Sequence, residues 1–224
     1  MPRARKARTL VDDVHATIRA DILAGRLVPG QPLRMAVLRE RFDVSLSVVR
    51  EALTRLSEQR LVRSVSQLGF TVVPLSVDDL RDLTSVRIDI ETLVIRRAVT
   101  DGDQAWETTL TDALGHLETT LPPSRHDVRL PGVDGGYREA HAGFHTALSA
   151  GCPSPRLREI RARLFDAAEL YRHWHVPEQR SAGTLADPHV AICQAALHRD
   201  ADAAADLLAA HIQVAADRLL RGAT

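Results

Sequence analysis

Between Leu61 and Val73 the apolar period of this chain switches from that of a helix to that of a strand, and no other segment makes that switch. Leu61-Val62-Arg63-Ser64-Val65 and Phe70-Thr71-Val72-Val73 are short β-prone runs around Gln67-Leu68-Gly69. Three helical segments precede them. From Thr9 to Leu23, apolar residues fall at Val11, Val14, Ile18, Ile22 and Leu23, one helix face, and Gly25 ends it. Pro29-Gly30 marks a turn. Leu33 to Phe42 reads as a second helix with Val37, Leu38 and Phe42 on its buried side. After Asp43-Val44-Ser45 a third helix runs to about Ser57, capped by Ser45 or Ser47, with Val48, Val49, Leu53 and Leu56 inward. Three small helices followed by a two-stranded ribbon predict a winged helix-turn-helix over residues 1–75, whose third helix enters a DNA major groove.

Pro74 closes that module, and the pattern beyond it is helical throughout. Val77 to Val99 and Gln104 to Leu117 are amphipathic, and 121–136 is a loop holding Pro122, Pro123, Pro131 and three glycines. Tyr137 to Ala150 and Pro155 to about Trp174 follow. Asp187-Pro188 opens a helix that reaches His198, and Asp200 caps a last helix that reaches Leu220. The expected fold class is therefore mostly α, with a second, all-α bundle of about six helices over residues 76–224. Aromatic residues make up only 4% of the chain, so its core is built from Leu, Val, Ile and Ala, which suits helices.

No run of about 18 apolar residues is present, which excludes a transmembrane helix. The basic stretch Met1 to Arg8 is not followed by an apolar signal core. Cys152 and Cys193 are too few for a disulfide scaffold and form no zinc-finger spacing. A cytoplasmic location is expected.

The formal net charge of zero conceals an asymmetry. Residues 1–75 hold 13 Arg/Lys against 7 Asp/Glu, and the remainder holds 16 against 22. A basic head on an acidic body suits a head that meets a polyanion, or else a solvated basic face with no partner. On the third helix, Arg50 sits on the polar side, where a guanidinium reaches phosphate or guanine edges. Ser45 and Ser47 lie at its N-terminus, where hydroxyls and unbonded backbone N–H groups hold a phosphate. Glu51 is placed to orient an arginine, Arg55 faces phosphate or solvent, and Arg34, Arg39 and Arg63 are further phosphate contacts.

Ten histidines is a high count for 224 residues. His15, His116, His126, His173, His175 and His198 have no partner at a spacing that suggests a site. His141 and His145 are four apart on one helix face, where both rings can meet one ion. His189 stands in the first turn of the next-to-last helix and His211 in the middle of the last, beside Leu207, Leu208, Val214 and Ala215. An inward histidine needs a partner or it costs stability. Each of the four is either a hydrogen-bonded core residue or a ligand, and bundle cores host metal sites built from facing helices.

The segment Val44-Ser45-Leu46-Ser47-Val48-Val49-Arg50-Glu51-Ala52-Leu53-Thr54-Arg55-Leu56 closely resembles the recognition helix of GntR-type bacterial transcription regulators. Gly25 to Leu33 is similar to that family's G-x-L-x-P-G-x-x-L turn, and the wing with Gly69-Phe70-Thr71-Val72 fits as well. The chain departs from the family pattern at Leu46, Ala36 and Leu68, positions that are often basic. Residues 78–221 resemble the helical ligand-binding domain of the FadR subgroup in its metal-binding (FCD) branch. Arg87 to Glu91 matches an R-x-x-x-E element, Phe144-His145 an F-H element, and His189 and His211 the two later histidines. An aspartate common four residues before the F-H histidine is replaced by His141. The resemblance thus implies a divalent metal on His141, His145, His189 and His211, with zinc or nickel favoured by the nitrogen-rich shell, or on the last three with His141 turned away. Arg87 either clamps a carboxylate ligand bidentately or pairs with Glu91 on the same helix face, or does both. Tyr171 and Arg172 are candidates to line the same cavity.

The resulting reading is a metabolite-responsive transcriptional regulator, a repressor, not an enzyme. Its head binds a double-stranded operator as half of a homodimer, and its helical domain holds a metal and a small carboxylate effector. The alternatives are a metalloenzyme built on the histidines, although no H-E-x-x-H motif is present, and a DNA-binding dimer with no effector.

Overall fold

The computed structural model describes residues 2–66, 69–120, 134–174 and 187–221. Leu68, His126, His175 and most of the loop expected at 121–136 lie outside the described residues. The protein is mostly helical. Its head comprises α1 (Pro2–Leu23), β1 (Pro32–Leu33), α2 (Met35–Phe42), α3 (Leu46–Glu58), β2 (Val62–Val65) and β3 (Gly69–Val72). Among the described residues six further helices follow, as the apolar periods predict: α4 (Val77–Asp101), α5 (Gln104–Thr119), α6 (Asp134–Ala150), which begins three residues before the expected Tyr137, α7 (Pro155–Trp174), α8 (Asp187–Leu197) and α9 (Ala201–Arg221).

Local chemistry sets the element ends. Ser45, rather than Ser47, caps α3 by accepting from the Val48 amide. Asp43 takes a left-handed conformation, φ 48°, which closes α2 and turns the chain into α3. Asp103 and Asp200 cap α5 and α9 through the amides of Trp106 and Ala203. The wing carries one more strand than the sequence predicts. Antiparallel β1-β3-β2 has Val62 opposite Val72 and Leu33 opposite Phe70. Leu33, expected to begin the second helix, lies in β1 instead, and a two-residue strand carries no period by which a sequence could show it. Its pairing is imposed by β3, and α2 starts two residues later at Met35.

The core of the head joins Val11, Val14, Ile18 and Ile22 of α1 to Leu38, Val49, Leu53, Leu56, Leu61 and Val72. Val37, expected inward, is exposed at 57%. Leu38 takes the inward position, and its neighbour lies about 100° around the helix.

The chain divides into two compact units. The first holds the described residues up to Leu80 together with the end of α7 from Asp166. The second holds Arg81 to Phe165 together with α8 and α9. The single boundary expected near residue 75 therefore has a complement within α7. Leu170 joins the core of the first unit, Asp166 pairs with Arg19, and the Tyr171 hydroxyl accepts from the Ser76 amide and donates to Asp79.

The core of the second unit is built from Val94, Ile95 and Ala98 of α4, Trp106 and Leu110 of α5, Phe144 and Leu148 of α6, Ile192 of α8, and Leu208 and Ile212 of α9. Trp106 holds α6 in place, donating its indole N–H to the Ala147 carbonyl at 3.0 Å. A Cβ at Gly151 would lie 2.7 Å from the Ala98 carbonyl oxygen and 2.9 Å from the Trp106 ring. Neither the α4 backbone nor a fully packed indole can yield cheaply. Gly151→Ala is therefore expected to lower stability by about 1–3 kcal/mol in urea denaturation followed by far-ultraviolet circular dichroism. An unchanged midpoint would contradict this packing.

Candidate metal centre and nucleic-acid interface

Three helices of the second unit deliver four imidazoles to one point. His141 and His145 are one turn apart on α6, His189 is in the first turn of α8, and His211 is midway along α9. Their ring centroids are 4.5 to 6.4 Å apart. One nitrogen from each lies within 4.8 Å of one from every other. His141, His145 and His189 are buried and His211 is half-buried. All four histidines singled out from the sequence are thus brought together.

Aromatic rings enclose them. Phe144 meets His145 and His189 edge-on at 5.5 and 5.3 Å, and Phe165 of α7 stacks on His141 at 6.0 Å. Neither ring nitrogen of His145 has a hydrogen-bond partner among the described residues. Burial lowers the His145 pKa well below the usual histidine value, and the charges of His141, His211, His189 and Arg161 lower it further. A buried imidazole held neutral, with its lone pair unengaged and three more imidazoles around it, has the donor chemistry of a metal ligand. The residues present fit a divalent ion.

Beside this cluster lies a buried ion-pair group that the sequence showed only in part. Arg87 donates from Nε and Nη2 to Glu91 Oε1 at 2.9 and 2.8 Å, the i,i+4 pair expected. Arg161 of α7 meets the other oxygen of Glu91 at 3.4 Å. Both guanidiniums lie near the Phe165 ring, at 5.7 and 4.6 Å from its centroid. Sequence reasoning missed Arg161 and Phe165, because α7 carries seven charged residues among its first fifteen and nothing local sets these two apart. The other two proposed lining residues, Tyr171 and Arg172, belong to the first unit. Tyr171 is bonded within the first unit, and Arg172 pairs with Glu169 on its own helix.

In the head, the arginines sort into two groups. Arg55, a candidate DNA contact, bonds Glu51 at 2.6 Å and Asp12 at 2.7 Å. Those two carboxylates favour its charged form and take one N–H each from Nη1 and Nη2. Glu51 thereby orients an arginine as expected. Arg26 and Arg41 converge on the buried carboxylate of Asp21, and Arg63 donates to Thr71. Arg34, Arg39, Arg50 and Arg60 are exposed and make no ion pair among the described residues. Arg50 shares the exposed face of α3 with Ser47 and Thr54, opposite Val49, Ala52, Leu53 and Leu56. Ser45 and Ser47 hydroxyls bond each other at 2.8 Å at the start of α3. Gly69, φ 83°, supplies the left-handed backbone that starts β3, a structural role in the wing.

Comparison with known proteins agrees with both halves. Residues 10–72 match bacterial regulatory proteins of the gntR family, and residues 82–214 match the FCD domain. The HTH-type transcriptional regulator BphR of Paraburkholderia xenovorans is 34% identical over 210 residues, covering 92% of this chain and 83% of its own. The HTH-type transcriptional repressor GlaR of Escherichia coli is 32% identical over 204 residues, covering 89% and 91%. A GntR transcriptional regulator from Rhodococcus sp. RHA1 has the same fold, with a TM-score of 0.75 at 25% identity over 94% of this chain and 97% of its own. The chain belongs to the GntR family, with an FCD second domain, and its relatives are transcriptional regulators rather than enzymes. No helix among the described residues is long and apolar enough to cross a membrane.

The depressed pKa of His145 has a sign that can be tested. Below about pH 6.5 an unfolded chain binds a proton at His145 while the folded one does not. Stability is therefore retained above that pH and lost as pH falls toward the folded pKa. Chelator-treated protein is expected to melt at progressively lower temperature from pH 7 to pH 5, with a shallower slope in His145→Gln. Equal slopes in the two proteins would refute the assignment.

Proposed function

We propose that this member of the GntR family is a metabolite-responsive transcriptional repressor. Residues 1–75 bind a double-stranded operator as one half of a homodimer, and residues 76–224 dimerise and hold a divalent metal and a small carboxylate effector. The observation that carries the effector half is the cluster of four imidazole nitrogens within 4.8 Å of one another, on three helices. A purely structural histidine cluster would spend its nitrogens on hydrogen bonds, whereas those of His145 have none among the described residues.

His141, His145, His189 and His211 would hold the ion, and an all-imidazole shell favours zinc or nickel over manganese. Bound there, a divalent ion supplies a Lewis-acidic centre for an anionic oxygen. Arg87, fixed by Glu91, presents a guanidinium to the same ligand. On the head, Arg50 and Ser47 contact DNA, and Arg34 and Arg39 contact phosphates. Arg55 acts through its bonds to Glu51 and Asp12 as a brace between α3 and α1. The protein acts in the cytoplasm, where its operator is. An effector alters DNA binding only through unequal affinity for the DNA-competent and DNA-incompetent states.

Two measurements test the two halves separately. On duplexes selected from a random pool by the wild-type protein, Arg50→Ala is expected to weaken binding by about 1–3 kcal/mol per half-site. Its melting temperature should not move, since Arg50 is exposed and buries nothing. Unchanged affinity in a gel-shift titration would remove Arg50 from the interface. Elemental analysis of protein purified without metal-affinity steps is expected to find about one divalent ion per chain, the stoichiometry of a single site built from four ligands. His189→Ala and His211→Ala should each lower metal content and thermal stability. Metal-free protein whose melting temperature ignores added zinc would leave a DNA-binding dimer without this site.

A further inference from the structure

We propose that Leu46 reads a thymine in the operator, by contact of its side chain with the 5-methyl group in the major groove. This deepens the DNA-binding reading of the head and rests on it.

Leu46 is the first residue of α3, within the part of the chain that matches the gntR family, and it is 46% exposed. The apolar residues around it in the chain are engaged elsewhere. Val44 and Val48 pack against the head core, and Val49, Ala52, Leu53 and Leu56 form the buried face of the helix. A leucine exposed alone on a protein surface is ordinary. This one is set among polar residues at the start of the helix that carries Arg50. Ser45 and Ser47 flank it in sequence, and the exposed Arg50 stands four residues on, one turn along the same side. The two serine hydroxyls bond each other at 2.8 Å, and that of Ser45 also accepts from the Val48 amide at 3.4 Å. The polar groups of this turn are thus tied to one another and to the backbone, which leaves the leucine as its exposed apolar feature. In a recognition helix the N-terminal residues are those that reach base edges.

Major-groove chemistry selects what such a side chain meets. Guanine presents two acceptors there, adenine an acceptor and a donor, and cytosine a donor. Leucine pairs with none of these, and pressing it against them removes their water without a replacement hydrogen bond. Thymine presents a 5-methyl group beside its O4 acceptor, and that methyl is the apolar group of the groove floor. Discrimination is therefore partly repulsive, since three bases lose hydration against Leu46 and one gains apolar contact. Arg50 complements it, because a guanidinium reads guanine or holds phosphate and gains nothing from a methyl group. Four residues of α-helix rise about 6 Å, roughly two base steps of 3.4 Å. The thymine is thus expected about two base pairs from the position that Arg50 contacts.

Uracil lacks the 5-methyl group of thymine and keeps its pairing edge, so exchanging the two isolates the contact. Palindromic duplexes selected from a random pool by the wild-type protein are resynthesised with each thymine replaced in turn by uracil, in both half-sites together. Binding is compared by gel-shift titration. At one position the uracil duplex is expected to bind wild-type protein about fifteenfold more weakly, from about fourfold per half-site for one methyl group. Leu46→Ala should abolish the difference between the two duplexes without moving the melting temperature, since Leu46 lies outside the head core. With cytosine at that position, methylation of its C5 should strengthen binding of wild-type protein but not of Leu46→Ala. Uracil that weakens binding at no position, or a difference that survives in Leu46→Ala, overturns the contact and leaves the DNA-binding head standing. Wild-type protein that selects no duplex overturns the DNA-binding reading itself. Should Leu46→Ala fail to fold, the wild-type titrations with thymine, uracil, cytosine and 5-methylcytosine decide alone.

Discussion

Four basic rings crowded within 4.8 Å of one another among aromatic neighbours impose a condition that the second unit is built to meet. Burial and the charges of its neighbours oppose protonation of His145, which holds that ring neutral among the other three. Meeting that condition requires exact helix placement. The one-turn spacing on α6 supplies two rings, but α8 and α9 must each present a third and a fourth at the same depth. The packing that sets this depth is the core around them, with Trp106 clamped against Ala147 and Gly151 and with Ile192, Leu208 and Ile212 buried on α8 and α9. The site is thus a property of the whole bundle, although its ligands are only four residues.

Electrostatics in the head work by subtraction. A net charge of +6 over residues 1–75 suggests a broadly basic surface. The structure spends several of those charges internally, with Arg26 and Arg41 on Asp21, Arg55 on Asp12 and Glu51, and Arg19 on Asp166. What is left exposed and unpaired among the described residues is a smaller set, Arg34, Arg39, Arg50 and Arg60. Exposed pairs such as Arg55 with Asp12 add little stability, so their value lies in fixing α3 against α1. A recognition helix held rigidly loses less entropy when it docks. Membership of the GntR family places this helix among DNA-binding regulators.

Burial also distinguishes the two carboxylates that each meet two arginines. Asp21 joins α1 to Arg26 and Arg41, both of which are largely exposed. Glu91 joins Arg87 and Arg161, both largely buried. The first arrangement braces a turn at the surface. The second keeps two guanidiniums charged inside a helical unit, which packing alone would not require, since apolar residues of similar volume stabilise as well or better. Their retention beside a candidate metal centre supports the proposed ligand-binding role of this unit.

Much of what is set by neighbours along the chain was legible in the sequence, although the start of α2 and the outward turn of Val37 were not. The periods located the helices, Asp200 announced the cap of α9, the V-R-E-A-L segment marked the recognition helix, and i,i+4 spacing paired His141 with His145 and Arg87 with Glu91. Only the tertiary structure decided the rest. β1 is two residues long and exists because β3 pairs with it. Arg55 looked available for DNA until α1 brought Asp12 to it. Tyr171 and Arg172 looked like cavity residues on a helix whose final turns instead belong with the head. Arg161 carried no local mark at all, and became significant only through Glu91 seventy residues earlier. Periodicity and capping are short-range, so a single sequence displays them directly. Which charge meets which, and which face of α7 is turned to the histidines, depend on contacts between distant segments that exist only once the chain has folded.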